Sequence, residues 1–363
     1  MPNKNSNSSS KKFSVRTVTG EENAYFAARN CACGFVSDFD SVFSECKRII
    51  ILKGGPGTGK STLMRSFVSE AKNRNLPCEC FYCSSDTASL DGVIIGNCEL
   101  AVIDGTSPHA VDPKFPGVRE EIVNLGQFWS RSHLRSHESE IEHYVSLKSE
   151  LYKRVYRLME VSSKAYSLCR SIVLSHCDIA KMEGSVDRIS RSFKSDGGVI
   201  RKRGISALGV HGYVCFDTYE RNAEEIYSIR DKYGISCVFL KSLMNKIGQI
   251  GASADISLSP VSCEIDAIFI KTGACAFLTQ SNSADKYINL ERFVKKSISQ
   301  DRSDIKKLSA ISYDALELAK EKLSEIGELH IALEDIYIDA MDFRALGEQT
   351  KRLLVSVFKN YSV

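Results

Sequence analysis

The chain has 363 residues, of which 43% are hydrophobic and 26% are charged, and its formal net charge is only +3. This length is ample for two domains with cores of their own, and the composition is typical of a soluble enzyme. The small net charge gives no strong nucleic-acid signal, and no apolar run approaches the roughly 20 residues that span a bilayer. We therefore expect a cytoplasmic protein without a membrane partner.

Residues 1–13 are rich in Asn, Ser and Lys and contain no apolar stretch. This composition predicts a disordered tail and argues against a signal peptide. Because no export signal is visible, we expect the 13 cysteines of the chain to be reduced thiols rather than disulfides.

Two local groups of cysteines invite a metal interpretation. One is Cys31 with Cys33, and the other lies in the segment 78–83, which contains Cys-x-x-Cys. The second group falls in a predicted strand, where neighbouring side chains point to opposite faces, and no second Cys-x-x-Cys accompanies it. The pattern therefore favours buried structural cysteines, with a zinc site as the alternative.

Residues 54–62 read Gly-Gly-Pro-Gly-Thr-Gly-Lys-Ser-Thr, which matches the phosphate-binding pattern G-x-x-x-x-G-K-[ST]. The preceding residues 48–53 form a short apolar run that predicts a buried parallel strand. After the motif, apolar residues recur at helical spacing from Ser61 to about Asn73, which predicts a helix. The motif therefore stands in the strand–loop–helix context that phosphate binding needs.

Each residue type in this motif has a chemical role. Glycines let the backbone approach phosphates, and their N–H groups with the helix N-terminus face the anion. Lys60 supplies a positive charge for the β- and γ-phosphates, Ser61 is placed to coordinate Mg²⁺, and Thr62 lies near the α-phosphate. The predicted cofactors are ATP and Mg²⁺. The predicted nucleotide-binding residues are Gly55, Pro56, Gly57, Thr58, Gly59, Lys60, Ser61 and Thr62.

A second strand should end in a carboxylate that holds the metal ion. Residues 99–104 form an apolar run that closes on Asp104, so Ser61 and Asp104 are the predicted Mg²⁺ residues. A rival carboxylate, Asp91, stands in another apolar segment and is the second choice. The carboxyl end of a sheet strand is where α/β folds bind ligands, which favours Asp104.

The polar stretch after Asp104 contains Thr106 and His109. Either residue could sense the γ-phosphate or orient a water molecule, although a loop histidine without a role fits equally well. Further on, Glu120 and Glu121 are expected to open the next helix. The predicted catalytic residues are Lys60, Asp104 and His109.

The second half of the sequence resembles the first. Residues 90–95 align with 265–270, and residues 100–103 then fall on 275–278 without a gap. Shorter matches follow the same order along the chain, namely 34–36 with 212–214 and 123–125 with 288–290. A common order of several weak matches indicates an internal duplication.

The second copy lacks the phosphate-binding residues. In this register only Gly234 remains of the glycines, Cys237 stands at the position of Lys60, and Thr279 stands at the position of Asp104. We therefore predict that the second copy does not bind ATP through such a loop. Residues 235–240 could also form a strand instead of a helix.

Each copy ends in a long segment with apolar residues at helical spacing, over about 137–193 and about 304–360. We expect antiparallel helices over or beside each sheet, with a coiled-coil arm for a partner as the alternative. The predicted domains are the tail 1–13, a first unit at 14–197 and a degenerate second unit at 198–363.

The phosphate-binding loop with its flanking strand, together with residues 90–93, 101–109, 111–113 and 124–125, resembles an uncharacterised bacterial family of tandem P-loop ATPases. The resemblance covers most of the chain. It implies an α/β fold of two tandem P-loop NTPase units and ATP binding and hydrolysis at Lys60, Ser61 and Asp104. In that family the second unit can also carry a phosphate loop, and this chain departs from it there.

The sequence thus predicts an α/β protein of two P-loop units with mainly parallel sheets, each followed by a long helical extension. The first unit is expected to be an Mg²⁺-dependent ATPase coupled to conformational change or to an unknown protein or small-molecule partner. A small-molecule or nucleotide kinase is one alternative, with His109, Asp112 and the region of Arg131 and Arg135 around the acceptor. A nucleotide-gated binding module with slow turnover is the other.

Overall fold

The computed structural model describes residues 15–19, 23–281 and 283–359, and the tail predicted for residues 1–13 lies outside them. Among these described residues, the first half contains nine strands: β1 (Val15–Val18), β2 (Asn23–Phe26), β3 (Ala28–Cys31), β4 (Gly34–Ser37), β5 (Arg48–Lys53), β6 (Cys78–Tyr82), β7 (Leu90–Ile95), β8 (Leu100–Asp104) and β9 (Glu120–Asn124). Its helices are α1 (Phe39–Phe43), α2 (Lys60–Asn73), α3 (Arg131–Ser136), α4 (Glu138–Ser175) and α5 (Ile179–Ile189).

The second half repeats this order of elements. Its strands are β10 (Ile200–Lys202), β11 (Ser206–Gly209), β12 (Gly212–Phe216), β13 (Glu225–Arg230), β14 (Ala254–Leu258), β15 (Ile265–Ile270), β16 (Cys275–Leu278) and β17 (Lys286–Asn289). Its helices are α6 (Thr218–Asn222), α7 (Ser236–Ile250), α8 (Arg302–Asp339) and α9 (Phe343–Phe358). Short 3₁₀ turns cover Leu125–Phe128, Ser190–Ser192, Leu290–Phe293 and Lys296–Gln300.

Two six-stranded sheets share one topology. The first has the order β2-β6-β7-β8-β5-β9 and the second the order β10-β14-β15-β16-β13-β17. Strand directions repeat as well, because β7 and β15 each run antiparallel to both neighbours while the other pairs are parallel. The alignment of residues 90–95 with 265–270 therefore joins strands that hold the same place in each sheet.

The two six-stranded sheets are mainly parallel, as the sequence predicted, apart from one antiparallel strand in each, β7 or β15. The physical reason lies in the connections of β7, since only residues 96–99 join it to β8. A parallel pair needs a crossover of a dozen or more residues, whereas a short turn can join only antiparallel strands. Gly96, Asn97 and Cys98 all adopt positive φ angles in this turn.

Smaller sheets link the two halves. Strands β3 and β4 form a hairpin, and β11 and β12 form its counterpart in the second half. Strand β1 pairs in parallel with β12, so the first strand described belongs to a sheet of the second half. Glu120 and Glu121, expected to open a helix, instead begin the edge strand β9, which extends the first sheet beside β5.

Helices α4 and α8 have 38 residues each and pack antiparallel along each other. Lys148 meets His330 near one end of the pair, and Cys169 meets Ser309 near the other. A helix of this length spans about 57 Å, enough to carry the chain from one sheet to the other. The second helix of each extension is therefore exchanged: α5 packs on α7, and α9 packs on α2.

The sequence predicted antiparallel helices over or beside each sheet, and the structure adds that α5 and α9 each pack on the other half. The apolar face of α2, which includes Phe67, is closed by Leu353, Val357 and Phe358 of α9. The core of the second half likewise includes Val186 of α5. Within the described residues, no helix is long and apolar enough to cross a membrane.

Candidate functional site

The glycine-rich loop, residues 54–59, joins the end of β5 to the start of α2, as the sequence predicted. Gly57 and Gly59 adopt φ angles of +68° and +79°, in the left-handed region that side chains disfavour. A Cβ atom on Gly57 would lie 2.8 Å from the backbone oxygen of Glu334. Glycine is therefore required at Gly57 both by its own backbone and by the neighbouring helix α8.

Lys60, the first residue of α2, turns its amino group back over the loop. Its Nζ donates to the backbone oxygens of Gly54 and Gly55 at 2.8 and 2.6 Å. The same Nζ lies 3.6 Å from Oδ2 of Asp104. Asp104 is the last residue of β8, which pairs with β5 so that Asp104 lies opposite Leu52. The predicted lysine and carboxylate are therefore neighbours in the structure.

Burial is the largest influence on Asp104 and raises the pKa of its carboxyl, while Lys60 opposes that rise. Oδ1 of Asp104 accepts a hydrogen bond from the backbone N–H of Thr106 at 2.8 Å. The Thr106 hydroxyl in turn donates to the backbone oxygen of Gly54 at 2.8 Å. Thr106 thus ties the end of β8 to the glycine-rich loop, a role that a sequence pattern does not show.

Ser61 lies against the next strand. Its Oγ accepts a hydrogen bond from the backbone N–H of Leu90 at 3.1 Å, at the start of β7. Asp91 is the following residue, is buried, and raises the pKa of Asp104 through its negative charge. The structure therefore brings Lys60, Ser61, Asp91 and Asp104 to one edge of the first sheet.

His109 is buried rather than exposed in a loop, with 6% of its surface accessible. Its Nε2 lies 3.0 Å from Oδ2 of Asp91, and its ring stacks on Phe39 at a centroid distance of 4.4 Å. Phe35 meets the same ring edge-on. These contacts fix the imidazole beside Asp91, the carboxylate that the sequence ranked second.

Residues from the far end of the chain cover the loop. The backbone N–H of Gly57 donates to Oε1 of Glu334 on α8 at 3.2 Å. A Cβ atom on Gly55 would lie 3.0 Å from the ring of Tyr337, and one on Gly59 would lie 3.0 Å from Leu346. Sequence reasoning missed these residues because α8 and α9 carry only an ordinary amphipathic pattern.

A polar chain runs from Glu334 to the partner helix α4. Nε2 of His330 lies 3.6 Å from Oε1 of Glu334, and Lys148 of α4 donates to Nδ1 of His330 at 2.7 Å. Burial, followed by the charge of Lys148, lowers the pKa of His330 to about 4. Burial also raises the pKa of Glu334. At neutral pH His330 is therefore the uncharged link between a lysine and a carboxylate.

In the corresponding loop of the second half, residues 231–236, the backbone N–H groups are bound by the loop's own Asp231 side chain. Asp231 Oδ1 accepts hydrogen bonds from the backbone N–H groups of Tyr233 and Gly234 at 3.1 and 2.8 Å, and Oδ2 accepts one from Ser236 at 2.6 Å. Helix α7 begins at Ser236, so the alternative of a strand at 235–240 is wrong. An internal carboxylate takes the hydrogen bonds that an external anion would need.

Helix α4 covers this second loop much as α8 covers the first. The Tyr166 hydroxyl donates to the backbone oxygen of Gly234 at 3.1 Å. Arg170 contacts Cys237, the residue at the position of Lys60, with 2.8 Å between Nη1 and Sγ, and also bonds Glu264. Each long helix therefore ends against the loop of the other half.

Comparison with known proteins gives one local similarity. Residues 36–94 match the family model of the nephrocystin 3 N-terminal domain. The matched segment contains β5, the glycine-rich loop, α2 and β6. Neither a curated protein nor a solved structure matches the chain significantly. The similarity therefore concerns the segment around the loop and does not extend to the second half.

Proposed function

We propose that the first half is a P-loop NTPase unit that binds a nucleoside triphosphate with Mg²⁺, ATP being the expected nucleotide, and hydrolyses it. The observation that carries this proposal is the position of Lys60, whose amino group lies over the glycine-rich loop and 3.6 Å from Asp104. A cation, a carboxylate and a glycine-rich turn at a helix N-terminus are the groups that triphosphate binding needs.

The side chains present suit Mg²⁺. Ser61 supplies a hydroxyl and Asp104 a carboxylate, and such oxygen donors are the ligands that this ion prefers. Burial raises the pKa of the Asp104 carboxyl and so disfavours its charged form. A cation bound beside it would oppose this effect and favour the carboxylate. When bound, the metal ion would neutralise charge on the phosphate oxygens.

The loop itself would bind the phosphates through its backbone. Lys60 must exchange its bonds to Gly54 and Gly55 for phosphate oxygens, which keeps its charge next to the transferred group. The N–H of Gly57 must likewise leave Glu334. Because a carboxylate and a phosphate cannot both accept from this N–H, nucleotide binding would displace the α8 side chain.

His109 is proposed as a positioning residue. Its ring is enclosed by Phe35, Phe39 and Asp91, so it is suited to hold Asp91 near Asp104 rather than to touch the nucleotide. With His109 away from the nucleotide, hydrolysis would depend on neutralising the charge of the γ-phosphate and on orienting the attacking water.

A nucleotide-gated binding module with slow turnover is the second candidate. It is favoured by the contact between Gly57 and Glu334, because α8 runs from the loop along α4 toward the second half. Displacement of Glu334 could therefore change a surface formed by the long helices, where an unknown partner would bind.

The direct test compares wild type with Lys60→Ala in nucleotide binding and in Mg²⁺-dependent phosphate release. We expect Lys60→Ala to lower turnover by at least about 100-fold, because it removes the charge nearest the transferred phosphate. Lys232→Ala is the matched control, since it removes an exposed lysine from the corresponding loop of the second half.

Equal binding and equal turnover by wild type and Lys60→Ala would contradict the whole assignment. Binding that requires Lys60 but yields no phosphate, alone or with cell extract, would favour the gated module over the ATPase. Phosphate transfer only when nucleosides or other small acceptors are added would point to the kinase alternative.

A further inference from the structure

Three cysteines from both halves of the chain converge at one place. Cys31 ends β3, Cys33 lies in the turn to β4, and Cys263 lies in the turn between β14 and β15. Their three Sγ atoms all lie within 4.8 Å of one another. We call Cys31, Cys33 and Cys263 the three-cysteine cluster. The sequence suggested only the pair Cys31 and Cys33, because Cys263 is distant along the chain.

The spacing of the thiols suits a metal ion. Zinc–thiolate bonds of about 2.3 Å in a tetrahedral arrangement place sulfur atoms roughly 3.8 Å apart. The Sγ atoms of the cluster, all within 4.8 Å of one another, are at most about 1 Å farther apart than this. Soft thiolate ligands select ions such as Zn²⁺ rather than Mg²⁺ or Ca²⁺.

The backbone on both sides of the cluster is shaped to present these side chains. Gly34 closes the hairpin turn with a φ angle of +98°, and Cys263 itself adopts a φ of +57°, which is uncommon for a residue with a side chain. Backbone hydrogen bonds from Ser259 to Glu264 and from Cys263 to Ser259 close its turn. Unusual conformations held in this way occur preferentially at functional sites.

Helix α4 supports both sides of the cluster. Asn30, which precedes Cys31, accepts a hydrogen bond from the Tyr156 hydroxyl at 3.0 Å. Glu264, which follows Cys263, pairs with Arg170 at 2.9 Å. The two cysteine-bearing segments are therefore oriented by one rigid element, as metal ligands usually are by their neighbours.

The surrounding charges also fit. Three thiolates with one divalent cation carry a net charge of −1. Arg29, which interacts electrostatically with Cys31 and Cys263, and Lys202 both pair with Asp38, so this group of three contributes a net +1. The charges of a loaded site would be balanced without any further residue.

We propose that Cys31, Cys33 and Cys263 bind one soft divalent cation, with Zn²⁺ as the expected ion. Within the described ranges, no fourth Cys, His, Asp or Glu joins the group, and Cys33 is exposed. The fourth position therefore faces solvent and accepts water or an external thiol. The bound ion links the β3–β4 hairpin of the first half to the β14–β15 turn of the second.

The test titrates reduced, metal-free full-length protein with ZnCl₂ against a chromophoric chelator, and repeats the titration with Co²⁺ to detect thiolate charge-transfer absorption. We expect one ion per chain and a Co²⁺ spectrum typical of thiolate coordination. Cys31→Ser and Cys263→Ser should each weaken binding by about 10- to 100-fold or more. Cys275→Ser, which removes a half-buried thiol outside the cluster, is the control and should bind as wild type does.

A second measurement uses only the wild-type protein, so it does not depend on how the variants fold. Zn²⁺ should slow alkylation of Cys33 by iodoacetamide at least about tenfold while leaving alkylation of Cys275 unchanged. Equal alkylation rates with and without Zn²⁺ would overturn the proposal. So would tight binding that survives both Cys31→Ser and Cys263→Ser, or a stable Cys31–Cys263 disulfide that forms in place of metal binding.

Discussion

Glu334 is the residue through which helix α8 makes a hydrogen bond to the glycine-rich loop. Its carboxylate accepts the Gly57 N–H at 3.2 Å, and the corresponding loop of the second half is filled in the same sense by Asp231. Both loops therefore have carboxylates on backbone N–H groups that are suited to anions. The two carboxylates differ in where they come from, because Asp231 belongs to its own loop whereas Glu334 belongs to helix α8 of the other half. The proposed nucleotide binding would require only that the Glu334 side chain moves away.

Replacing Glu334 by Gln tests this competition. The change keeps the size of the side chain but removes its negative charge, so we expect nucleotide to bind about fivefold more tightly, or ~1 kcal/mol. Equilibrium titration with a fluorescent ATP analogue measures the effect. Glu328→Gln, at an exposed position on the same helix, should change nothing. Unchanged or weaker binding by Glu334→Gln would show that this carboxylate does not compete with the nucleotide.

His330 predicts a pH dependence of stability. Its pKa is lowered to about 4 in the folded protein, against the usual value of about 6.5 in an unfolded chain. The unfolded state therefore binds more protons in this window, and stability falls as pH drops from about 6.5 toward 4. The charged groups facing the ring are Lys148 on α4, Glu334 on α8, Lys60 on α2 and Asp86 before β7.

The measurement is urea unfolding of wild type and His330→Gln between pH 8 and pH 4.5. Both proteins bear the same remaining groups, so the difference between their free energies of unfolding isolates the histidine. We expect wild type to lose more stability than the variant as pH is lowered through 6.5. A difference that stays constant from pH 8 downward would contradict the lowered pKa.

At the scale of elements, the exchange of α5 and α9 determines which core each helix completes. Phe358 of α9 packs on Phe67 of α2 with ring centroids 5.8 Å apart, and its own side chain is fully buried. The first sheet therefore depends on a helix that begins at Phe343, long after its own strands have ended. Chain order alone would assign that helix to the second half.

The corresponding prediction compares two substitutions on α9. Phe358→Ala should lower the free energy of unfolding by about 3 kcal/mol, because it leaves a cavity against α2. Helix α2 directly follows the glycine-rich loop. Val355→Ala, at a position that is 71% exposed, should change stability by less than about 0.5 kcal/mol. Chemical unfolding followed by circular dichroism reports both values. Comparable effects of the two variants would mean that α9 does not complete this core.

Much of the local structure could be predicted from the sequence. The strand at 48–53, the helix that follows the loop and the strand that ends at Asp104 lie where the apolar patterns placed them. Their burial is dictated by residues that are neighbours in the chain, so local periodicity suffices. The helix predicted at Glu120 is wrong because these residues form the edge strand β9 beside β5. Glu121 is exposed there, whereas Glu120 is buried and accepts a hydrogen bond from the backbone N–H of Phe115 at 2.6 Å.

At the scale of the whole molecule, two similar halves are joined by an antiparallel pair of long helices. Each helix begins beside its own sheet and ends against the loop of the other half, through Glu334 at Gly57 and through Tyr166 at Gly234. A change at the first loop therefore has a continuous path of packed side chains along α8 to α4. This arrangement provides a physical route for the nucleotide-dependent motion that we propose.

The sequence by itself determined the strand, glycine-rich loop and helix around Lys60, the strand that ends at Asp104, and the repeat with its altered second loop. These features rest on residue types and on spacings shorter than a single supersecondary unit. Only the tertiary structure placed Glu334 on Gly57 and Cys263 beside Cys31 and Cys33. Such contacts join residues more than 200 positions apart, and they arise from how the long helices fold back, which no local pattern encodes.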